Sequence, residues 1–307
     1  MFDVAVLFCT FNRLNTVKKS FARIRDIQPS RLYLSSDGPR DSFSGEIDKI
    51  MRVREYIEQN IDWECTVHKN YSDTNLGCGI KMSSAISWAF EHEDRLIIIE
   101  DDCVVDPSFF RYCEELLDYY KNDGRVMLID GYCNAGKAIT QDSYFFSAVP
   151  EDYWGWATWK RVWDKYEYDI VRSNERDILS YLKKITSRGG VKHFLQCFDT
   201  VSSHRTDIWD YQLLYMLVKE QGVAILPNTN LVFNAGIGDD ATHTINTPTY
   251  YSSDSHQMAF PLKHPSTVES AKKYDKAIWK SSLVNEMIRF IKQFFGIDPN
   301  KSIFSKG

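Results

Sequence analysis

Residues 95–106 read RLIIIEDDCVVD, and this segment decides the class of fold. Its apolar run, 96–99, has the length and the branched side chains typical of a buried β-strand. Three acidic residues follow at once, and residues 107–121 are predicted to form a helix with proline at its first position. A buried strand that passes through a polar turn into a helix is typical of α/β proteins.

The same alternation of strand and helix patterns continues on both sides of this segment. Further predicted strands lie at 3–9, 31–35, 65–69 and Val126–Asp130, and further predicted helices at 15–27, 45–60 and 79–91. This order predicts an α/β fold with a mostly parallel sheet flanked by helices. Because ligands of such sheets bind at the carboxyl ends of the strands, we expect the polar residues that follow the strands to converge on one edge.

The alternation fades after about residue 140. A helix is predicted at 207–221 and a strand at Val223–Pro227, whereas the polar composition of 228–265 predicts a loop. Near the end of the chain, 281–295 has the apolar stripe of an amphipathic helix.

The composition limits the class of protein. The 307 residues carry 37 basic and 42 acidic side chains, a net charge of −5, whereas nucleic-acid-binding domains are usually strongly basic. The opening MFDVAVLFCTFNR lacks the pattern of a secretory signal, and no apolar run reaches the ~18 residues of a membrane span. The seven cysteines form no C-x-x-C pair. We therefore expect a cytoplasmic protein with reduced thiols and no nucleic-acid partner.

The three acids after the apolar run indicate a cation. Adjacent carboxylates repel one another and are costly beside a buried strand. Mg²⁺ and Mn²⁺ prefer oxygen ligands and typically bind one or two protein carboxylates together with substrate phosphates. The cluster therefore predicts a site for a divalent cation and a diphosphate. A solvated acidic turn before the following helix is the alternative that this pattern alone leaves open.

Several stretches resemble nucleotide-sugar-dependent glycosyltransferases of the GT-A fold. IIIEDDCVVDPSFF (97–110) is similar to the metal-binding segment of the N-acetylglucosaminyltransferase I group. VLFCTFNRLNTV (6–17) and YLSSDGPR (33–40) resemble the same superfamily. DYWGWATWKRVWDKY (152–166) resembles bacterial surface-polysaccharide glycosyltransferases, and the whole resemblance extends over residues 1–245.

The resemblance implies a Rossmann-like GT-A fold, and we expect the whole chain to be organised in three parts. Residues 1–130 would form a nucleotide-sugar-binding subdomain, and 131–265 an acceptor-binding and catalytic lobe that shares its core. Residues 266–307 would form a helical tail. Two placements of the tail helix stay open: it packs on the catalytic part or on a second subunit of a homodimer, or it lies on the inner face of the membrane.

Donor-binding roles follow from the resemblance, residue by residue. Asp102 would bind the metal, Asp101 would contact the ribose or a metal-bound water, and Glu100 would support the site. Asp37 would accept a hydrogen bond from the base, typically uracil. Arg13 would face the diphosphate, to which a guanidinium can donate parallel hydrogen bonds. An ordinary turn aspartate and an exposed loop arginine are the alternatives for Asp37 and Arg13.

Three weaker signals also concern the nucleotide-sugar donor and its metal. The sequence NLGCG (75–79) precedes a predicted helix, so its backbone donors and Lys81 are expected to approach the nucleotide. His243, in a polar loop, is a further candidate for contact with the metal or diphosphate.

Inverting transfer needs a base for the acceptor hydroxyl, on the face of the sugar opposite the leaving diphosphate. The stretch 208–236 resembles the part of the N-acetylglucosaminyltransferase I group in which a Trp-Asp helix start provides this base. The resemblance implies Asp210 as base, with Asp207 second and Asp152 third. The alternative is that Asp207 caps the helix and Asp210 lies in its first turn.

A tryptophan-rich stretch follows Asp152. Trp156, Trp159 and Trp163 are spaced as i, i+3 and i+7, which predicts one buried face of a helix. Trp154, beside a glycine, is the better candidate for stacking on a sugar.

These expectations combine into one hypothesis. The chain would be an inverting glycosyltransferase that uses Mn²⁺ or Mg²⁺ and transfers a sugar from a UDP-sugar, UDP-GlcNAc or a related donor. Its acceptor would be a cell-surface glycan or a lipid-linked oligosaccharide. Two alternatives are a sugar-1-phosphate nucleotidyltransferase, which normally has a glycine-rich basic loop after the first strand, and a catalytically inactive GT-A-like carbohydrate-binding protein.

Overall fold

The computed structural model describes residues 2–133, 135–171, 175–203, 206–236 and 254–278. The strands are β1 (Ala5–Thr10), β2 (Arg31–Ser36), β3 (Thr66–Tyr71), β4 (Arg95–Glu100), β5 (Cys103–Val105), β6 (Val126–Asp130), β7 (Tyr144–Ser147), β8 (Trp156–Trp159), β9 (Val223–Pro227) and β10 (Val232–Asn234). The helices are α1 (Leu14–Ile27), α2 (Glu46–Gln59), α3 (Cys78–Ala89), α4 (Ser108–Tyr119), α5 (Gly136–Ile139), α6 (Lys160–Trp163), α7 (Glu175–Ile185), α8 (Arg188–Ser202), α9 (Asp210–Lys219) and α10 (Lys272–Ile278).

In the described part of the chain, eight strands form one sheet in the order β3-β2-β1-β4-β8-β6-β9-β7. The pairs β3–β2, β2–β1, β1–β4 and β6–β9 are parallel, whereas β8 and β7 run antiparallel to their neighbours. Helices α1 to α4 alternate with the strands, and buried residues of all four helices share one core with the sheet. The prediction of an α/β fold with a mostly parallel sheet flanked by helices is confirmed.

The central strands are buried along their whole length. All six residues of β1 are buried, and residues 96–99 of β4 have no exposed surface. A strand covered on both faces reads as a continuous apolar run, which is why β4 is so plain in the sequence. One hydrophobic core joins β1 and β4 to β6, β8 and β9, so residues on both sides of position 130 share it.

The tryptophan-rich stretch is not one helical face. Trp156–Trp159 forms β8, between β4 and β6, and only Trp163 lies on a helix, the short α6. Trp156 stacks on Trp209, whereas Trp159 donates from Nε1 to the carbonyl oxygen of Leu117 on α4. The prediction of burial was right, but the predicted periodicity was wrong, because a strand with both faces covered shows no period.

The predicted loop at 228–265 contains a strand. β10 pairs antiparallel with β5, with Val232 opposite Val105 and Asn234 opposite Cys103. This pairing brings the segment after β9 beside the three acids that precede β5. A strand of three residues is too short to show a pattern in the sequence.

The C-terminal part is described as far as Ile278. Helix α10 is held by Asp275, whose carboxylate accepts hydrogen bonds from Ser147 Oγ (2.6 Å) and the Ala148 amide (3.2 Å). The helix predicted at 281–295 lies outside the described residues. Across the described ranges, no helix combines the length and hydropathy that a membrane crossing needs.

Candidate active site

A cavity of about 530 Å³ opens where β1, β2 and β4 end. It is lined by nine of the ten site residues predicted from the sequence, namely Arg13, Asp37, Lys81, Glu100, Asp101, Asp102, Asp152, Asp207 and Asp210. The tenth, His243, lies outside the described residues. The structure therefore brings these nine side chains together, and their individual roles remain predictions.

The cavity is strongly acidic. Among the described residues that line it, seven carry a carboxylate and three a basic group. Those bases already have partners: Arg13 pairs with two acids of the cavity, Arg40 with Glu46, and Lys81 donates to Asn70 and Ser72. A diphosphate alone would be repelled here, because like charges in a partly buried site interact strongly. A cation that accompanied an anionic ligand would offset this repulsion.

The acidic cluster begins at the last residue of β4. Arg13 Nη2 donates to Asp101 Oδ1 at 2.9 Å and to Asp102 Oδ2 at 2.7 Å. The Phe11 amide donates to Asp101 Oδ2 at 3.1 Å, so both oxygens of this buried carboxylate are bound. The turn after β1 therefore holds the turn after β4, as neighbouring parallel strands allow.

The acidic cluster contains three carboxyl groups and has one arginine, Arg13, beside it. Burial raises the pKa of Asp101 to about 6, although the charge of Arg13 opposes this shift. Burial also raises the pKa of Glu100 well above its ordinary value, and the charges of Asp102 and Asp101 add to that effect. The cluster is thus short of positive charge.

The side chains of the cavity can supply only some of the ligands that a divalent cation needs. Within the described ranges, no three His, Cys, Asp or Glu side chains are arranged as a complete metal site. Mg²⁺ and Mn²⁺ need no such set when phosphates and water supply the remaining ligands. Asp102 fits this role, because it lines the cavity and its Oδ1 accepts from the weak Cys103 Sγ donor at 3.6 Å.

Gly236 packs directly on the Arg13–Asp102 pair. Its segment follows β10 and is fixed by a hydrogen bond of 2.7 Å from the Ala235 amide to the Asp102 carbonyl oxygen. A Cβ atom at position 236 would lie 2.5 Å from both Arg13 Nη1 and Asp102 Oδ2, and 2.9 Å from Asp102 Cβ. Only glycine leaves room for the ion pair.

We therefore expect Gly236→Ala to displace the Arg13–Asp102 pair and to weaken nucleotide binding about tenfold, the cost of overpacking a tight site. Affinity for UDP with Mn²⁺, measured by calorimetry, tests this expectation. Gly124→Ala is the matched control, because a Cβ there meets nothing within 4 Å. Equal UDP affinity in both variants would contradict the prediction.

The loop at 75–79 lines the cavity, and its backbone donors bind two carboxylates of the protein. Asp37 accepts from the amides of Leu76 (3.0 Å) and Gly77 (3.1 Å), and Asp207 accepts from those of Cys78 (2.7 Å) and Gly79 (2.7 Å). These four donors are thus bound to carboxylates of the protein, and the expectation that they approach the nucleotide remains a prediction. A glycine-rich turn before a helix attracts a carboxylate as readily as a phosphate.

Two predicted ligand-binding residues have structural partners. Asp37 is buried and also accepts from the Gly38 amide (2.8 Å) and from Asn75 Nδ2 (2.9 Å). The ammonium of Lys81 donates to Asn70 O, Asn70 Oδ1 and Ser72 Oγ, each at 2.9 Å. Recognition of a base by Asp37 and contact of Lys81 with the nucleotide remain predictions.

Asp210 is the first residue of α9, and its Oδ1 accepts from the Tyr211 amide at 2.9 Å. Its charge contributes to the raised pKa of Glu100, so the two carboxyl groups lie within interaction range in the cavity. Asp152, from the loop before β8, lines the same cavity. The structure thus supplies a carboxylate on a separate element from the acidic cluster.

An aromatic wall adjoins these carboxylates. Half-buried Trp154 lines the cavity and lies against Tyr132, with ring centroids 4.6 Å apart. Tyr153 and Trp209 line the cavity beside it, and Trp209 stacks on Trp156 at 5.5 Å. Such amphipathic rings suit a sugar, which presents an apolar face and polar edges.

The thiols of the cavity are poor nucleophiles. Cys9 and Cys78 line it, and burial raises the pKa of both thiols, with a smaller contribution from the charge of Glu100. A protonated thiol does not attack an electrophile effectively. Thiol catalysis is therefore not supported.

Sequence reasoning missed three residues of the site. Gly236 and Trp209 lie within the stretch 208–236 quoted above, but their places in the cavity depend on the packing of distant segments. Arg40 also lines the cavity, where its guanidinium lies 3.8 Å from the ring of Phe43, and its amide donates to Glu46 Oε2 at 2.7 Å. Its position at the end of the quoted YLSSDGPR motif was a signal that could have found it.

No protein-family model and no curated protein matches the chain. Solved structures of TarS from S. aureus are similar in part. TarS 1–349 matches with TM-score 0.39 and 9% identity over 72% of each chain. TarS 1–349 in complex with UDP-GlcNAc matches with TM-score 0.31 and 12% identity over 42% of this chain and 34% of that one, and TarS with 0.35 and 11% over 55% and 30%. This chain thus spans about a third of the length of two of these structures, and similarities this low identify neither a family nor a function.

Proposed function

We propose that the chain is a metal-dependent, inverting glycosyltransferase of the GT-A type, akin to the N-acetylglucosaminyltransferase I group. It would transfer a sugar from a UDP-sugar, UDP-GlcNAc or a related donor, to a cell-surface glycan or a lipid-linked oligosaccharide. The observation that carries the proposal is that Asp102, Arg13 and Asp210 line one cavity at the carboxyl ends of the strands. An acidic cluster suits a metal-bound diphosphate, and a separate carboxylate suits a base.

In this proposal the acidic cluster binds the donor. Asp102 holds Mn²⁺ or Mg²⁺, which when bound neutralises the charge of the departing diphosphate. Asp101 and Glu100 support Asp102. Arg13, now paired with two carboxylates, exchanges one of them for a phosphate oxygen, because a guanidinium donates to either anion with similar geometry.

The acceptor side of the cavity then carries the proton transfer. Asp210 accepts the proton of the acceptor hydroxyl as that oxygen forms its bond to the anomeric carbon and the diphosphate leaves from the opposite face. Trp154 stacks on the acceptor sugar, and Asp152 binds a sugar hydroxyl. Peripheral membrane association from the cytoplasmic side would suit a lipid-linked acceptor.

One observation disfavours the nucleotidyltransferase alternative. The turn after β1 is Phe11-Asn12-Arg13, without glycine, and Asn12 Nδ2 donates to Glu46 Oε1 at 2.8 Å. A basic glycine-rich loop that wraps a nucleoside triphosphate is thus missing at this position. A catalytically inactive carbohydrate-binding protein would have no use for the acidic cluster beside Asp210.

Metal-dependent nucleotide binding tests the proposal directly. We expect UDP and Mn²⁺ together to raise the Tm of the wild-type chain more than the sum of their separate effects, because a ligand at 100 times its Kd adds about 2.7 kcal/mol to the free energy of unfolding. Thermal unfolding with UDP, GDP and CMP, each with Mn²⁺ or with EDTA, measures this effect. A Tm that no nucleotide raises in a metal-dependent way would contradict the proposed donor class.

A donor screen then tests the transfer itself. UDP release from a panel of UDP-sugars identifies the sugar, and NMR of the anomeric proton of the product gives the stereochemistry. Retention of configuration would contradict the single displacement with Asp210 as base.

A further inference from the structure

Two carboxylates accept hydrogen bonds from the backbone amides at the N-terminal turn of α3. Asp37, directly after β2, binds the amides of Leu76 and Gly77, and Asp207, just before α9, binds those of Cys78 and Gly79. Four consecutive amides are thus held by residues 170 positions apart. The turn joins the strand-end half of the cavity to the half that carries α9.

The fit of Asp207 against this turn is close. A Cβ atom at Gly77 would lie 2.3 Å from Asp207 Oδ2, and one at Gly79 would lie 2.9 Å from Asp207 Oδ1 and 2.6 Å from Tyr168 Oη. Gly77 also has a φ of +83°, which favours glycine in any case. The two glycines of the G-C-G sequence therefore leave the space in which the Asp207 carboxylate sits.

These contacts fix Asp207 in place although the residue is exposed to solvent. Both oxygens accept hydrogen bonds of 2.7 Å from the first amides of a helix, whose dipole also favours a negative charge there. To bind a substrate hydroxyl, this carboxylate would have to give up or share its contacts with α3. Asp207 is therefore a poor candidate for the base.

The chain from Asp207 to Asp210 is short and itself anchored. Trp209 is buried and stacks on Trp156, and Gln212 Nε2 donates to the Ile208 carbonyl oxygen at 3.0 Å. The position of Asp210 is thus tied to α3 through three peptide bonds and these two anchors. Movement of the Asp207 contact would move Asp210 relative to the acidic cluster.

We infer that Asp207 is a positioning residue, which docks the start of α9 on α3 and so sets the distance between the base and the donor. Only the expected effect of Asp207 on turnover rests on the proposed function. The docking contact itself is independent of that function.

Three variants test the inference. Asp207→Ala removes both acceptors, Asp207→Asn keeps one oxygen that can still cap a helix, and Asp73→Asn changes an exposed acid in the segment that precedes this turn. We expect kcat to fall about 100-fold in Asp207→Ala and about tenfold or less in Asp207→Asn, with the donor Kd unchanged, because a misplacement of about 1 Å costs this much. The pH profile of kcat in Asp207→Asn should keep the wild-type acidic limb, and Asp73→Asn should match the wild type.

Hydrogen exchange separates the docking contact from the reaction. The amides of Cys78 and Gly79 should exchange faster in Asp207→Ala than in the wild type, and should keep their rates in Asp73→Asn. Unchanged exchange, or faster exchange with wild-type kcat, would overturn the inference. Loss of the acidic limb in Asp207→Asn would instead identify Asp207 as the base. If the wild-type chain transfers no sugar, the proposed function fails, while the exchange result still decides whether Asp207 docks α9 on α3.

Discussion

Asp210→Asn is expected to lower kcat about 10²- to 10⁴-fold, the range that a general base contributes, while the affinity for UDP with Mn²⁺ stays unchanged. Asparagine has nearly the same shape and can still accept the hydrogen bond of 2.9 Å from the Tyr211 amide at the start of α9. The substitution therefore removes the proton acceptor and keeps the helix. UDP release at saturating donor and acceptor measures kcat, and calorimetry measures UDP binding.

Asp118→Asn is the matched control, because Asp118 lies on the exposed surface of α4 and pairs only with Lys121 among the described residues. It should retain wild-type kcat. Near-normal turnover in Asp210→Asn would remove this residue as base. If Asp152→Asn then showed the large loss, the proton acceptor would be the carboxylate on the loop before β8.

The sequence was informative where local patterns suffice. The strands β1, β2 and β4 and the helices between them follow from apolar runs and amphipathic spacing, since each pattern is set by neighbours along the chain. The carboxyl ends of parallel strands meet at one edge, so Arg13 and Asp102 could be expected near each other before any coordinates. Their direct ion pair could not, because it depends on side-chain conformations.

The sequence was uninformative where distant segments meet. β8 enters the sheet between β4 and β6, and β10 pairs with β5, but neither short strand has a period of its own. Asp207 was predicted to lie at the start of the helix at 207–221, whereas its carboxylate binds α3. Long-range contacts of this kind depend on the topology of the fold, which local propensities do not predict.

A basic side chain, Arg13, contacts the acidic cluster directly. Its guanidinium binds both Asp101 and Asp102, and this exchangeable partner offsets part of their mutual repulsion. The same side chain is suited to a phosphate, so the proposed arrival of a metal-bound diphosphate would replace one anion at the guanidinium by another.

Asp102→Ala is expected to weaken UDP binding in Mn²⁺ about 100-fold, since even residues outside the coordination shell of a metal change its affinity 10- to 100-fold. Asp102 is the more exposed of the two acids that Arg13 binds, with 17% of its side chain accessible against 7% for Asp101. Arg13 keeps Asp101 as partner in the variant, so the fold should survive. Calorimetry of UDP with Mn²⁺ and with EDTA gives both affinities, and Asp118→Ala serves as control.

The sign of the change in EDTA separates two roles of Asp102. A metal ligand and a purely repulsive charge both make UDP binding depend on Mn²⁺, but they respond differently to removal. If Asp102 holds the cation, UDP binding in Mn²⁺ falls to the level in EDTA, because the cation no longer has its protein ligand. If Asp102 only repels the diphosphate, its loss raises UDP affinity in EDTA toward the wild-type value in Mn²⁺. Unchanged UDP affinity in Mn²⁺ would contradict the metal-binding role, and with it the donor site built on this cluster.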